Sequence, residues 1–315
     1  MKALVTGVAG FIGSNLSKAL VARGDSVVGI DCFTDYYARE IKEGNLAPLK
    51  AHQNFTFVEG ALQTADLNAL LDGVTHVFHL AAQAGVRKSW GADFQIYTTN
   101  NIDATQRLLE HLVGRPIEKL VYASSSSVYG DAVQIPMTED ALPQPVSPYG
   151  VSKLAAEQLC YLYHVNYGVP TVALRYFTVY GPGQRPDMGF HRFIRAVLTN
   201  QPISLYGDGE QTRDFTFVAD IVAATMAAGD RGRPGLVYNI GGGSRVSINQ
   251  VLEMIGRITG RTPDIRREAA QKGDMRDTFA DTTRARADLG FAPATTLEAG
   301  IKAECDWLSG VLNVK

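Results

Sequence analysis

Cysteine is scarce: Cys32, Cys160 and Cys305 are the only three in 315 residues. Three scattered thiols cannot build a disulfide framework or a thiolate zinc site. They fit a reducing compartment, and no other grouping predicts a metal. Long apolar runs are also missing, none approaching the roughly 20 residues needed to span a bilayer. The chain enters a strand at once, without the basic and apolar regions of a secretory leader. These absences predict a cytoplasmic protein away from the membrane. Charge of one sign is lacking too, with 30 Lys and Arg against 32 Asp and Glu. A net charge of −2 offers no basic field for nucleic acid or an anionic surface. Repeats, low-complexity runs and clean linkers do not occur.

What is present is an ordinary globular balance, 45% hydrophobic and 20% charged, on a chain long enough for one large or two coupled domains. Lys2-Ala3-Leu4-Val5-Thr6 reads as a buried strand and Ser14 to Arg23 as a helix. Ser26-Val27-Val28-Gly29-Ile30-Asp31 reads as a second strand. Between the first strand and the helix stand Gly7, Gly10 and Gly13. In a βαβ unit the first glycine permits the tight turn and the next lets backbone approach a pyrophosphate. The last permits close helix–strand packing, while the helix N-terminus faces the phosphates. Asp31 ends the following strand, where a carboxylate accepts ribose hydroxyls and repels a 2′-phosphate. With Cys32 and Phe33 next, no arginine is at hand for that phosphate, so NAD is expected over NADP.

Strands at 55–58, 76–80, 119–123 and 171–176 alternate with helices at 64–71 and 98–112. A further helix runs from Ser147 to about His164, with Leu154, Ala155, Leu159 and Leu162 as its apolar stripe. Near-continuously apolar strands alternating with helices predict an α/β fold, a doubly wound parallel sheet covered on both faces. Ligands on such sheets bind at the carboxyl ends of the strands. The later chain is richer in loops, with helices near 190–199, 218–228, 248–259 and 296–311. The expected division is 1–176 for the cofactor and 177–315 for a smaller substrate lobe, some of whose elements return to the first part.

Tyr149 and Lys153 are four residues apart on the helix that Ser147 caps, so they share a face. An ammonium beside a phenol favours the phenolate, which makes a base able to work near neutrality. A Tyr-x-x-x-Lys pair is common by itself. It gains meaning from Ser124-Ser125-Ser126-Ser127, which follows the fifth strand at the same sheet edge. A serine hydroxyl there can bond a substrate oxygen and share its proton with Tyr149. The constellation suits reversible hydride transfer at a carbinol.

Gly7-x-x-Gly10-x-x-Gly13, Leu80-Ala81-Ala82-Gln83 and Ser125 with Tyr149-x-x-x-Lys153 resemble the extended short-chain dehydrogenase/reductase family. Within it the chain is similar over its whole length to the nucleotide-sugar epimerases and dehydratases. The resemblance implies a Rossmann-type sheet with a smaller C-terminal α/β lobe, bound NAD, a UDP-sugar substrate and a homodimer. Phe11, Ile12, Leu80, Ala81, Ala82 and Tyr176 then join the glycines, Asp31, Tyr149 and Lys153 at the cofactor. Ser125, Tyr149 and Lys153 become the catalytic set. Ser126 and Ser127 face the sugar, and Asn101 supports the active-site helix. Arg192, Arg213 and Arg276 contact the substrate, the last two at its diphosphate. One departure stands out. The family commonly carries an acidic adenine contact near position 61, where this chain has Ala61.

Arg175-Tyr176-Phe177-Thr178-Val179-Tyr180-Gly181-Pro182, then Arg185-Pro186-Asp187-Met188, resembles the UDP-glucuronate 4-epimerase group, as does Gly85-Val86-Arg87-Lys88-Ser89-Trp90. A uronic sugar needs donors for its C5 carboxylate, for which Thr178, Ser126, Ser127, Arg185 and Arg87 are the candidates. The expected reaction is 4-epimerisation of UDP-glucuronate to UDP-galacturonate through a 4-keto sugar. A UDP-glucose or UDP-N-acetylglucosamine 4-epimerase is the alternative, followed by a UDP-glucuronate decarboxylase. A 4,6-dehydratase fits less well, because such enzymes carry Asp-Glu where Ser126-Ser127 stand.

Overall fold

The computed structural model describes residues 1–131, 134–269, 271 and 273–314. Its first half runs β1 (Lys2–Thr6), α1 (Phe11–Ala22), β2 (Ser26–Asp31), α2 (Arg39–Lys50), β3 (Phe55–Glu59), α3 (Leu67–Leu70), β4 (His76–His79), α4 (Phe94–Tyr97), α5 (Ala104–Leu112), β5 (Lys119–Ser125), α6 (Pro148–Tyr167) and β6 (Thr171–Tyr176). The second half follows with β7 (Val179–Tyr180), α7 (Gly189–Leu198), β8 (Ile203–Tyr206), β9 (Thr212–Asp214), β10 (Thr216–Phe217), α8 (Val218–Arg231), β11 (Val237–Ile240), β12 (Arg245–Ser247), α9 (Ile248–Thr259), β13 (Ile265–Glu268), α10 (Thr283–Leu289) and α11 (Leu297–Leu312).

Seven strands form one parallel sheet in the order β11-β6-β5-β4-β1-β2-β3. The order reverses between β1 and β4, which opens a crevice at their carboxyl ends. Strands β4 and β6 are buried along their whole length, as a sheet covered on both faces requires. One core holds Val5, Phe78, Val121, Leu174 and Ile221, and the opposite face holds Leu4, Val77, Leu120, Leu108 and Cys160. A third core gathers Phe190, Ile194, Leu205, Val251, Ile255 and Ile301 from α7, β8, α9 and α11. Strand β11, from the second half, returns to pair with β6, and α8 packs on α1. This is the Rossmann-type architecture expected.

Several elements differ from expectation, each for a local reason. Helix α1 starts at Phe11 rather than Ser14, because Gly10 caps it without a side chain and leaves its first N–H groups for a ligand. Helix α2 is absent from the sequence reading. It contains Gly44 and Pro48, and it buries only Lys42, Leu46 and Leu49, too thin an apolar face to announce a helix. The expected helix 98–112 begins as a π-helical stretch, Thr98–Asp103, ahead of α5.

Helix α6 reaches Tyr167 because Gly168 turns left-handed, φ 70°, to stop it. Its expected apolar stripe is a further correction. The buried face is Ser152, Lys153, Ala156, Glu157, Cys160 and Tyr163, while Leu162 is 49% exposed. The polar face turns inward because it serves the site.

Candidate active site

A cavity of about 710 Å³ runs along the carboxyl ends of the strands, within the range of small-molecule sites. Its walls include Gly7, Gly10, Phe11, Ile12, Gly13 and Asp31 at one end, with Leu80, Ala81, Ala82 and Tyr176 between. Ser125, Ser126, Ser127, Tyr149, Lys153 and Thr178 also line it, as do Arg87, Arg192 and Arg213, grouped around Tyr206 and Asp274, and Arg185, close to Tyr149 and Tyr36. Arg276 does not join them. Its guanidinium pairs with Asp208 at 3.0 and 3.1 Å on the exposed outside, while the preceding Gly273, Asp274 and Met275 reach the cavity. The acidic partner in a distant loop draws it away.

At the glycine turn Gly7 and Gly13 are held by contacts that no side chain tolerates. Gly7 has φ 70°, and a Cβ on it would lie 2.8 Å from the Ala81 nitrogen. A Cβ on Gly13 would sit 2.3 Å from the Gly7 carbonyl oxygen. Gly10 donates its N–H to that same oxygen at 3.0 Å and opens α1. Thr6 Oγ1 accepts from the N–H groups of Leu80 and Ala81 at 3.2 and 3.1 Å, locking β4 beside the turn. Asp31 accepts from the N–H of Ala9 and of Phe33 at 3.0 and 2.9 Å. Burial raises its carboxyl, and those bonds pull the other way. Its remaining lone pairs are free to accept ribose hydroxyls. A glycine cradle at a helix N-terminus and a buried acceptor at the next strand end fit a dinucleotide. Glu59 does not substitute for the missing acid at 61, because Arg39 holds both its oxygens at 2.8 Å.

Strand β5 distributes its serines by alternation. Ser124 turns to α6 and donates to Glu157 at 2.6 Å, where Arg175 also binds both Glu157 oxygens. Ser125 ends the strand, and its Oγ accepts the Ser127 N–H at 3.1 Å. Ser147 caps α6 by accepting from Gly150 N at 3.1 Å, with Pro148 in the first turn. Asn101, presented by the π-helical stretch, ties the helix in place. It donates to Ser152 Oγ at 2.9 Å and to the Gln83 carbonyl at 3.1 Å, and it accepts from Gln83 N at 2.7 Å. Ser152 in turn donates to the Tyr149 carbonyl at 2.7 Å. These bonds tie α6 to the Ala82–Gln83 loop.

The electrostatics depart from the simple Tyr–Lys pairing. In the protein alone burial raises the Tyr149 phenol, opposed by a hydrogen bond with Ser125 and by the Arg185 charge. The expected lowering by Lys153 does not occur. Burial brings the Lys153 ammonium down to about 7, and its Nζ lies 4.3 Å over the ring of Tyr122. Ser125 and Arg185 oppose burial without overcoming it, so further positive charge beside Tyr149 would favour the phenolate. His79, buried between Thr6 and Thr105 at 2.7 and 2.9 Å, stays neutral, with a pKa near 3 set first by burial and then by Lys153.

At the far end Arg213 spends Nη1 and Nη2 on the carbonyls of residues 212, 275 and 276. Those acceptors are neutral, so its charge remains for an anion. Arg87 crosses the mouth to Asp274, Nη2 to Oδ2 at 2.6 Å, and lies 4.3 Å over the Tyr206 ring. Tyr36, Tyr37 and Lys42 also line the cavity and were missed from sequence. The aromatic pair just after β2 was the available signal.

Residues 3–241 match the NAD dependent epimerase/dehydratase family. The chain is 44% identical to YtcB of Bacillus subtilis strain 168, an uncharacterized UDP-glucose epimerase, over 99% of both chains. It is 38% identical to a UDP-glucuronate 4-epimerase of Thermodesulfobacterium geofontis, over 96% of this chain and 95% of that one. The crystal structure of a Bacillus cereus UDP-glucuronic acid 4-epimerase with UDP-glucuronic acid and NAD superposes with a TM-score of 0.96. It is 44% identical, covering 99% of this chain and 100% of the other. The chain belongs to the NAD dependent epimerase/dehydratase family.

Proposed function

We propose that this protein is an NAD-dependent UDP-glucuronate 4-epimerase. One observation carries the reading: Ser125, Tyr149 and Lys153 share a cavity with a dinucleotide cradle at one end and an arginine-rich wall at the other. Gly7, Gly10 and Gly13 admit the pyrophosphate, Asp31 takes the adenosine ribose, and Lys153 and Tyr149 stand at the nicotinamide end. Bound NAD supplies a hydride acceptor for C4 and a positive charge beside Tyr149. Tyr149 removes the 4-OH proton and later returns it, and Ser125 holds O4 while doing so. Arg213 and Arg87 hold the diphosphate, with Arg192 beside them. Thr178, Ser126, Ser127 and Arg185 take the C5 carboxylate. Holding it fixed matters, because a 4-keto uronate is a β-keto acid that loses CO₂ when the carboxylate swings out of plane.

Residues 1–176 act as the cofactor part and 177–315 as the sugar-nucleotide wall, with β11 and α8 built back into the first. Among the described residues no helix is long and apolar enough to cross a membrane. All three cysteines are free, which supports a reducing, cytoplasmic setting. A homodimer is supported by α6, whose outer face exposes Val151, Tyr161, Leu162, Val165 and Tyr167 by 45–59%.

The test is NMR of a mixture of UDP-sugars incubated with the purified protein and no added cofactor. UDP-galacturonate forming from UDP-glucuronate, without pentose, is the expected result. Turnover of UDP-glucose alone overturns the reading in favour of the second one, a UDP-glucose 4-epimerase, to which the YtcB likeness points.

A further inference from the structure

Arg185 stands in a glycine- and proline-rich loop, residues 181–188, where the local backbone does little to fix a long side chain. Its guanidinium is nonetheless gripped along one edge. Nε donates to Asp187 Oδ1 and Nη2 to Oδ2, both at 3.0 Å. The same carboxylate accepts from the Tyr36 hydroxyl at 3.3 Å. Tyr36 in turn lies over Gly85, where a Cβ would fall 2.1 Å from its hydroxyl oxygen. Loops that follow β2, β4 and β7 are therefore linked through Tyr36, which meets both Asp187 and Gly85, and all three residues line the cavity. A guanidinium has five N–H donors in a rigid fork, so gripping the Nε–Nη2 edge leaves the Nη1 side with donors to spend.

We propose that Asp187 is a positioning residue for uronate recognition. It presents the free side of Arg185 to the C5 carboxylate, and Tyr36 braces it from across the cleft. This deepens the reading of the substrate as a UDP-uronate and rests on it. Two effects compete. Asp187 cancels part of the Arg185 charge, which weakens its pull on a second carboxylate. Against that, the rotamer freedom of a long side chain is lost before the substrate arrives rather than on binding. The pair is 21% and 30% exposed, so water screens only part of the charge term, and the ordering gained by a two-point grip is set against what remains. Positioning prevails.

The experiment uses the NAD-loaded Tyr149→Phe protein, in which turnover is expected to be slowed at least about a hundredfold, alone and combined with Asp187→Ala or Asp187→Asn. Titration calorimetry measures Kd for UDP-glucuronate and for UDP-glucose. Asp187→Ala is expected to weaken UDP-glucuronate about tenfold, the size of one charge-assisted hydrogen bond, and to leave UDP-glucose within about twofold. Asp187→Asn, which still accepts one N–H, falls between. Tighter binding of UDP-glucuronate to Asp187→Ala overturns the proposal, since Asp187 is then a competitor for Arg185. Equal weakening of both sugars overturns it too, because Asp187 is then loop scaffold. Failure of the wild type to turn over UDP-glucuronate removes the functional reading alone, since the binding ratio still decides Asp187. No binding of UDP-glucuronate to Tyr149→Phe removes both.

Discussion

At the scale of single residues, the site separates positions that strands and caps fix from positions that loops decide. Ser125 and Tyr149 were legible because a strand end and a Ser147–Pro148 cap place them. The electrostatic role assigned to Lys153 was not, because burial and the direction of a flexible ammonium are tertiary facts. The placement of Arg276 was illegible for the same reason: its side chain is paired with Asp208, far away in sequence. Tyr149→Phe should lower kcat by roughly 10²–10⁴-fold, the span of a positioned general base, measured by coupled assay. Cofactor released on denaturation should be unchanged in that variant, because the glycine cradle and Asp31 are untouched. A variant that loses its cofactor would assign Tyr149 to binding instead. Ser125→Ala should retain cofactor as well, with kcat reduced and its pH profile displaced to higher pH, since the hydrogen bond from Ser125 lowers the phenol.

At the scale of elements, the first six strands were readable because each is largely apolar, and β6 was placed at its observed bounds, whereas the short strands of the second half, β11 among them, were not read. Helix α6 was readable in extent and misread in orientation. Its inner face carries Lys153, Glu157 and Ser152 because the site and the buried Arg175–Glu157 pair stand behind it. Pattern reading assumes apolar inside, and a helix that delivers catalysis inverts that assumption.

The loop at 181–188 depends on α11 through Glu304. That fully buried acid accepts the Gly181 N–H at 2.7 Å through Oε2, while Oε1 has no partner. Burial pushes its pKa from 4.5 to about 8. Between those values the folded state holds a proton that the unfolded chain has released, so stability falls as pH rises and levels off above 8. Glu304→Gln keeps an acceptor for Gly181 and cannot ionise. It should match the wild type below pH 4.5 and exceed it by about 3 kcal/mol at pH 7, read from urea melts across pH. Parallel melts across that range would mean that Glu304 does not ionise differently on folding.

At the scale of the whole molecule, the crevice at the sheet's reversal point, lined by Arg87, Arg185, Arg192 and Arg213, suits a small anionic metabolite. The apolar outer face of α6 is the surface through which we propose that the molecule pairs with a second copy. Leu162→Glu with Val165→Glu should shift the sedimentation mass from dimer to monomer without removing bound cofactor. A wild type that sediments as a monomer would leave the face unexplained by self-association.

The central claim is that hydride leaves C4 of UDP-glucuronate and returns to the same carbon within one active site. UDP-glucuronate deuterated at C4 tests it most directly, followed by NMR in ordinary water with no added cofactor. The account predicts UDP-galacturonate that keeps its deuterium at C4, with no CO₂ and no pentose. Loss of the label to solvent, or a decarboxylated product, would contradict it.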